Sequence, residues 1–249
     1  MRILISGLGG HMGAEVAKLC AAGCRGAEAV AGVDMMGWQS CTLPCAADFE
    51  HAETKVDCVV DFSHHSVTEA LLKFGTAHHL PLVIATTGQT DEERAAIEAA
   101  AKEIPIFFAA NFSLGVALLI ELAKKAAAVM ADAEIEIIEK HHDRKVDAPS
   151  GTALAIARAI QTVRPNATIV TGRSGMGKRT PDEIGIHAIR MGNIPGEHEV
   201  LIGTNNQTIT LKHETHDRAL FAEGALAAAA FLCGKPAGLY DMESLLAEA

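Results

Sequence analysis

"RILISGLGGHMGAEVAKLCAAG", residues 2–23, decides the fold. A short apolar run breaks at Gly7, and from His11 the apolar residues recur at helical spacing until Gly23. Strand, glycine turn and helix in that order form the opening unit of a parallel sheet, because parallel neighbours need a long crossover between them. The cadence then repeats. "AEAVAGVD" (27–34) reads as a second strand ending in an acid, "KVDCVVDFS" (55–63) as a third, and "SVTEALLKFGTAHH" (66–79) as its helix. "LPLVIATTG" (80–88) is a fourth strand, "TDEERAAIEAAAKE" (90–103) a helix with an acidic first turn, and "IPIFFAANFS" (104–113) a fifth strand. This alternation predicts a doubly wound parallel sheet.

Beyond residue 112 the pattern changes. "LGVALLIELAKKAAAVM" (114–130) is a long amphipathic helix, "AEIEIIEK" (133–140) alternates as a half-buried strand, and "TALAIARAIQTV" (152–163) is again helical. Three strand-like runs follow, "ATIVTG", "GIHAIRMG" and "HEVLIGTNNQTITLKHET", punctuated by Gly, Pro and Asn. They predict an α+β unit with a mostly antiparallel sheet. The closing helix, "RALFAEGALAAAAFLCG" (218–234), is expected to pack back onto the first domain. The fold class is therefore α/β, with residues 1–112 plus 218–249 as one domain and 113–217 as an α+β second domain.

Bulk properties exclude several functions. The chain has 249 residues, 49% hydrophobic and 4% aromatic, with a formal net charge of -10. Such a charge argues against a nucleic-acid binder, which needs a basic stripe. The Ala-rich run near the end is shorter than the ~20 residues that span a bilayer, and the opening apolar run is too short for a secretory signal. A cytoplasmic location with no membrane or nucleic-acid partner is expected, and the sequons at Asn111, Asn166 and Asn206 carry no meaning there. Cys20, Cys24, Cys41, Cys45, Cys58 and Cys233 include no CxxC and no zinc-like spacing to histidines. They read as free thiols, and no metal is expected.

"GLGGHMG" places Gly7, Leu8, Gly9, Gly10, His11 and Met12 between the first strand and the first helix. Glycines there let the backbone turn tightly and approach a pyrophosphate at the positive helix end. The spacing departs from strict GxGxxG. Asp34, ending the second strand, is placed to accept from an adenosine ribose while repelling a 2'-phosphate, and Met35 and Met36 put no cation beside it. A dinucleotide site preferring NADH, with NADPH possible, is expected. "GRSGMGKR" (172–179) imitates a phosphate loop, but Arg179 stands where Ser or Thr should hold Mg²⁺. It reads instead as a basic loop able to cover an anionic substrate or cofactor.

The second constellation is "EKHHDRKVDAPSGTA", residues 139–153. Ser150 or Thr152 can cap the following helix, and the amides around Gly151 and Thr152 are ready for a carboxylate or phosphate. Lys145 and His142 add positive charge or donors, and His141 titrates near neutrality. A solvated basic loop is the bland alternative. For the two histidines to share a site, the chain must leave strand geometry at or near His141, since successive strand residues face opposite ways.

"EIIEKHHDRKVDAPSGTA" resembles the signature of the dihydrodipicolinate reductase family. The resemblance extends to "VDFSHHSVTEALL", "ATTG", "AANFSLGV", "RMGNIPGEHEVLIG" and "GKPAGLYDME", nearly the whole chain. It implies a Rossmann-like first domain, a second domain for substrate and oligomerisation, and a homotetramer in the cytoplasm. It implies NAD(P)H-dependent reduction of 4-hydroxy-tetrahydrodipicolinate, a small dicarboxylate, to tetrahydrodipicolinate in lysine and diaminopimelate biosynthesis. Hydride would reach ring C4, with His141 as acid/base and Lys145 as proton donor. His142, Ser150, Gly151 and Thr152 would bind substrate. The cofactor would touch the turn from Gly7 to Met12, Asp34, Ala85, Thr86 and Thr87, and Ala109, Ala110, Asn111 and Phe112. The family often carries Arg or Lys where this chain has His11, a basic residue at Met35, and Gly at Ala85; the first two weaken the case for NADPH. Another Rossmann oxidoreductase, such as an amino-acid dehydrogenase, and a non-catalytic NAD-sensing module remain as alternatives.

Overall fold

The first apolar run becomes β1 (Arg2–Ser6), in which Ile3, Leu4 and Ile5 are fully buried. A computed structural model describes residues 1–35 and 43–248, so Met36 and Cys41, both weighed above, lie outside the described residues. After β1 come α1 (His11–Ala21), β2 (Glu28–Val33), β3 (Cys45–Ala46), β4 (Cys58–Asp61), α2 (Thr68–His78), β5 (Leu82–Ile84), α3 (Asp91–Ala100) and β6 (Pro105–Phe108). Next are α4 (Leu114–Val129), β7 (Glu134–His141), α5 (Gly151–Val163), β8 (Thr168–Thr171), β9 (Glu183–Arg190), β10 (Glu197–Gly203) and β11 (Thr208–Glu214). The chain closes with α6 (Ala219–Leu232), β12 (Gly238–Tyr240) and α7 (Met242–Leu246).

Two compact units result: residues 1–113 with 219–249, and residues 114–218. In the first, a seven-stranded sheet runs β12-β6-β5-β4-β1-β2-β3, with every pairing parallel. Chain order reverses beside β1, so the carboxyl ends of β1 and β4 flank a switch point of the kind where doubly wound sheets bind ligands. Helix α3 begins at a reciprocal cap in which Thr90 and Glu93 satisfy each other's backbone N–H groups. Helix α6 packs beside α1, its small residues Ala222, Ala225 and Ala228 fully buried.

In the second unit, a five-stranded sheet runs β11-β10-β7-β9-β8. Its inner face carries Ile135, Ile137, Ile184, Ile186, Val200 and Ile202 against Leu119 and Ala123 of α4 and Ile156 and Ile160 of α5. The expectation of a mostly antiparallel sheet needs correcting. β10 pairs antiparallel with β7 and β11, but β9 pairs parallel with both β7 and β8. The physical reason is connectivity: α5 and the long segment 172–182 carry the chain back, and such crossovers deliver parallel strands. The third strand-like run is two strands, β10 and β11, folded at Asn205 and Asn206 and closed by Thr204 N–H donating to Gln207 O at 2.8 Å. β3, β12 and α7 have two, three and five residues, too few to show a period in the sequence.

Ile137 is fully buried at the centre of β7, between β9 and β10. Ile137→Ala is expected to lower unfolding free energy by about 2–5 kcal/mol, the usual cost of a core cavity. Urea unfolding should show this as a lower midpoint with an unchanged slope.

Candidate active site

The glycine turn is built on one close backbone approach. Gly7 adopts φ 80°, in the left-handed region, and its N–H donates to Val33 O at 2.8 Å. A Cβ on Gly13 would lie 2.1 Å from Gly7 O, so only glycine lets α1 start this near the strand. Gly10, at the head of α1, has no side chain to cap the first-turn amides. A helix start of this kind suits a phosphate. Asp34 follows β2 directly, and its Oδ2 accepts from Gly9 N–H at 2.8 Å.

A cavity of about 320 Å³ opens at this edge, lined by Gly7, Gly10, Asp34, Phe62 and His64 among others. Of the expected cofactor residues, it brings together Gly7, Gly10 and Asp34 and leaves the others outside its lining. Leu8 and Phe112 are buried in the core, so they offer a ligand backbone atoms only. The Thr86 hydroxyl is spent on the buried Asp61 carboxylate, which also accepts from Ser63 Oγ at 2.5 Å. Ala85 to Thr87 follow β5 and Ala109 to Phe112 follow β6, at the same sheet edge as the glycine turn. Asn111 Oδ1 accepts from Ser113 N–H at 2.8 Å, while His11, Thr87 and Ala110 are exposed and Gly9 and Met12 half-buried. The fit to a dinucleotide is good: bare glycine, an uncapped helix start and a ribose-height carboxylate adjoin one cavity.

In the second unit the apolar inner face becomes polar at one end. Strand register sets Glu139 opposite His198 and His141 opposite Arg190. Glu139 is fully buried. Its Oε2 accepts from Arg190 Nη1 at 2.9 Å and lies 2.6 Å from His141 Nδ1; its Oε1 accepts from Arg190 Nη2 at 2.7 Å and Ser150 N–H at 3.0 Å. Burial alone would push this carboxyl up, but hydrogen bonds from Arg190, His141 and Ser150 outweigh it and hold Glu139 below the usual carboxylate range. Burial, with the charges of Lys145 and Arg190, draws His141 down, and the upward pull of Glu139 does not cancel the fall. His198, edge-on to His141 at 5.2 Å between ring centres, is pushed down to about 4 by burial, with His141 adding to the effect.

β7 ends at His141, so the chain leaves strand geometry where a shared histidine site requires it. His142 donates its backbone N–H to Ile194 O at 2.8 Å, and its Nδ1 is buried without a hydrogen-bond partner. Lys145 Nζ pairs with Asp147 at 2.8 Å. Ser150 caps α5 by accepting from Ala153 N–H at 3.2 Å, and its hydroxyl lies 3.2 Å from His198 Nε2. Gly151 is exposed, with open space where a Cβ would stand, and Thr152 is half-buried beside it. In the basic loop, Arg179 is committed to Ile135 O, Glu183 O and Glu136, and Arg173 to Glu183. Those two cations brace the loop rather than offer themselves to an anion.

The sequence reading missed Glu139, Arg190 and His198 in one constellation and Phe62 and His64 in the other. A signal for Glu139 was present. Counting by twos from Ile135 and Ile137 puts Glu139 and His141 on the buried face, where an acid must be paired. Arg190 and His198 belong to other strands, and only the register brings them in. Among the described residues no cluster could hold a metal ion, and no helix is long and apolar enough to cross a membrane.

A doubly wound parallel sheet with a glycine turn, joined to a second unit with a histidine cluster, defines an oxidoreductase of the Rossmann class using a nicotinamide cofactor. The profile described as dihydrodipicolinate reductase, N-terminus, matches residues 1–112, and the corresponding C-terminus profile matches residues 115–246. A 4-hydroxy-tetrahydrodipicolinate reductase of Caldanaerobacter subterraneus is 46% identical over 248 residues, covering 99% of this chain and 98% of that one. One of Clostridium tetani is 42% identical over 251 residues, covering 99% and 97%. A solved dipicolinate-bound dihydrodipicolinate reductase from Paenisporosarcina sp. TG-14 superposes with TM-score 0.82 at 27% identity, covering 97% of each chain. A diaminopimelate dehydrogenase of C. glutamicum, 16% identical with TM-score 0.58 over 97% of this chain and 92% of its own, shares the fold. The chain belongs to the dihydrodipicolinate reductase family.

A histidine whose folded pKa is depressed binds its proton later than it does in the unfolded chain. Stability from His198 is therefore present above about 6.5 and lost as pH falls towards about 4, and His141 and His213, the latter on β11 and also drawn down by burial, act in the same direction. Chemical unfolding at pH 7, 6 and 5 should show falling stability, with a flatter slope in His198→Gln.

Proposed function

We propose that the chain reduces 4-hydroxy-tetrahydrodipicolinate to tetrahydrodipicolinate, with NADH preferred over NADPH, in lysine and diaminopimelate biosynthesis. The observation that carries this reading is the adjacency, within one unit, of the His141 imidazole and the start of α5, where the Ser150 N–H shares the Glu139 carboxylate with His141 and Gly151 is exposed. Reduction of a cyclic dicarboxylate needs an anion seat and a proton source together. The dipicolinate held by the Paenisporosarcina relative has that shape and charge.

The amides at Gly151 and Thr152 seat one substrate carboxylate on the positive end of α5, and the His142 imidazole supplies a further polar contact. Lys145 exchanges its Asp147 partner for substrate charge and, with His141, provides the proton that the reaction consumes as the 4-hydroxyl leaves as water. Gly7, Gly9, Gly10, His11 and Met12 hold the cofactor's phosphates, and Asp34 its ribose. The loops after β5 and β6 hold the cofactor through backbone groups. When bound, the reduced nicotinamide supplies the hydride that goes to ring C4. Fixed donors around a dianion lower the barrier mainly by positioning and charge stabilisation. Residues 1–112 plus 218–249 serve as the cofactor domain and 113–217 as the substrate and oligomerisation domain. A cytoplasmic homotetramer accords with the outer face of the second sheet, where Ile138, Ile189 and Leu201 are only half-covered or exposed.

Supplying the freshly made product of dihydrodipicolinate synthase and following NADH oxidation tests the reading; cofactor binding without turnover would favour the sensing module. Lys145→Ala should lower kcat by about 10²- to 10⁴-fold, the range general acid catalysis contributes, with NADH affinity nearly intact. A kcat/KM greater for NADPH than for NADH would overturn the cofactor preference.

A further inference from the structure

The buried carboxylate of Glu139 does more than one structural ion pair requires. Arg190 neutralises its charge through two N–H groups, and its two oxygens also take His141 Nδ1 and the Ser150 N–H. An ionised carboxylate only accepts hydrogen bonds. With two guanidinium N–H groups on it, Glu139 stays ionised, so the proton between it and His141 belongs to Nδ1. A neutral imidazole protonated there carries its lone pair on Nε2. That nitrogen lies against Gly196, where a Cβ would stand only 3.1 Å away, so glycine keeps this side of the ring uncrowded. The groups facing His141 are Glu139 on its own strand, Arg190 on β9, His198 on β10 and Lys145 on the loop after β7. Glu139 is the single carboxylate among these.

The geometry points to Glu139 and Arg190 as a positioning pair that fixes His141 as the Nδ1–H tautomer and presents Nε2 to the substrate. Through Ser150 the same carboxylate sets the start of α5, so one residue fixes the spacing between the proton-transfer group and the carboxylate seat. Neither residue touches substrate in this assignment; both act through His141 and Ser150. The inference rests on the reading of His141 as the acid/base. Loss of the Glu139 charge would leave burial, Lys145 and Arg190 unopposed, and His141 would then titrate lower.

The test uses the full-length enzyme. Nitrogen-15 NMR of the imidazoles in the unsubstituted protein should show His141 Nδ1 protonated and Nε2 bare, a readout that needs no variant to fold. Glu139→Gln should lower kcat by about 10²-fold, move the His141 limb of the pH–rate profile to lower pH, and leave NADH affinity unchanged. An Nε2–H tautomer, or a folded Glu139→Gln enzyme that loses thermal stability while keeping the parent pH profile, overturns the positioning role. His141→Gln, run in parallel, separates the two ideas. If it retains turnover, the acid/base reading itself fails; if it loses turnover while Glu139→Gln keeps the parent profile, only the positioning pair fails.

Discussion

A carboxylate with no exposed surface is the constraint around which the second unit is arranged. Desolvating Glu139 would cost several kcal/mol without compensation. The compensation comes from three separate places in the chain: Arg190 on β9, His141 two residues on, and the first amide of the α5 cap. Each donor demands a piece of architecture. Arg190 reaches Glu139 only because β9 lies parallel beside β7, which in turn requires the long return through 172–182. The departure from a mostly antiparallel sheet and the chemistry at its end are one fact.

The first unit depends on a different kind of constraint, contact between backbones. Gly13 against Gly7 brings α1 down onto the strand, and the N–H of Gly9 is then in reach of Asp34. Asp34 is thereby oriented before any ligand arrives, since one oxygen is committed to the turn. That economy explains why a glycine cluster without strict GxGxxG spacing still forms the expected shape. What matters is the approach at Gly7 and Gly13 and the absence of a capping side chain at Gly10.

The sequence made the first unit legible because its central strands β1, β4 and β5 are buried on both faces and read as continuous apolar runs. The second was legible in its parts and less so in its assembly. The apolar residues of β7, α5 and β10 announced strands and helix, but pairing partners are set by crossovers that periodicity does not report. The candidate site divides the same way. His141, Lys145, Ser150, Gly151 and Thr152 are near neighbours in the chain and could be found together. Arg190 and His198 lie 51 and 48 residues from Glu139 and Ser150, and only strand register makes them neighbours. Phe62 and His64 were quoted as part of a motif, yet their place in the cavity beside Gly7 and Asp34 is a tertiary fact.

The chain's formal net charge of -10 sits easily beside an anionic substrate and cofactor once the fields are taken locally. Long-range attraction between exposed charges fades within about 10 Å at ordinary ionic strength, so the total charge says little about either site. At the second sheet's end the cations are few and assigned: Arg190 to a buried acid, Lys145 to the half-exposed Asp147. Their different depths matter. Arg190 cannot leave Glu139 without stranding a buried charge, whereas Lys145 gives up a partner that water can solvate in its place. The pair that stays is the one beneath the histidine, and the cation that is cheap to release is the one proposed to meet the dicarboxylate.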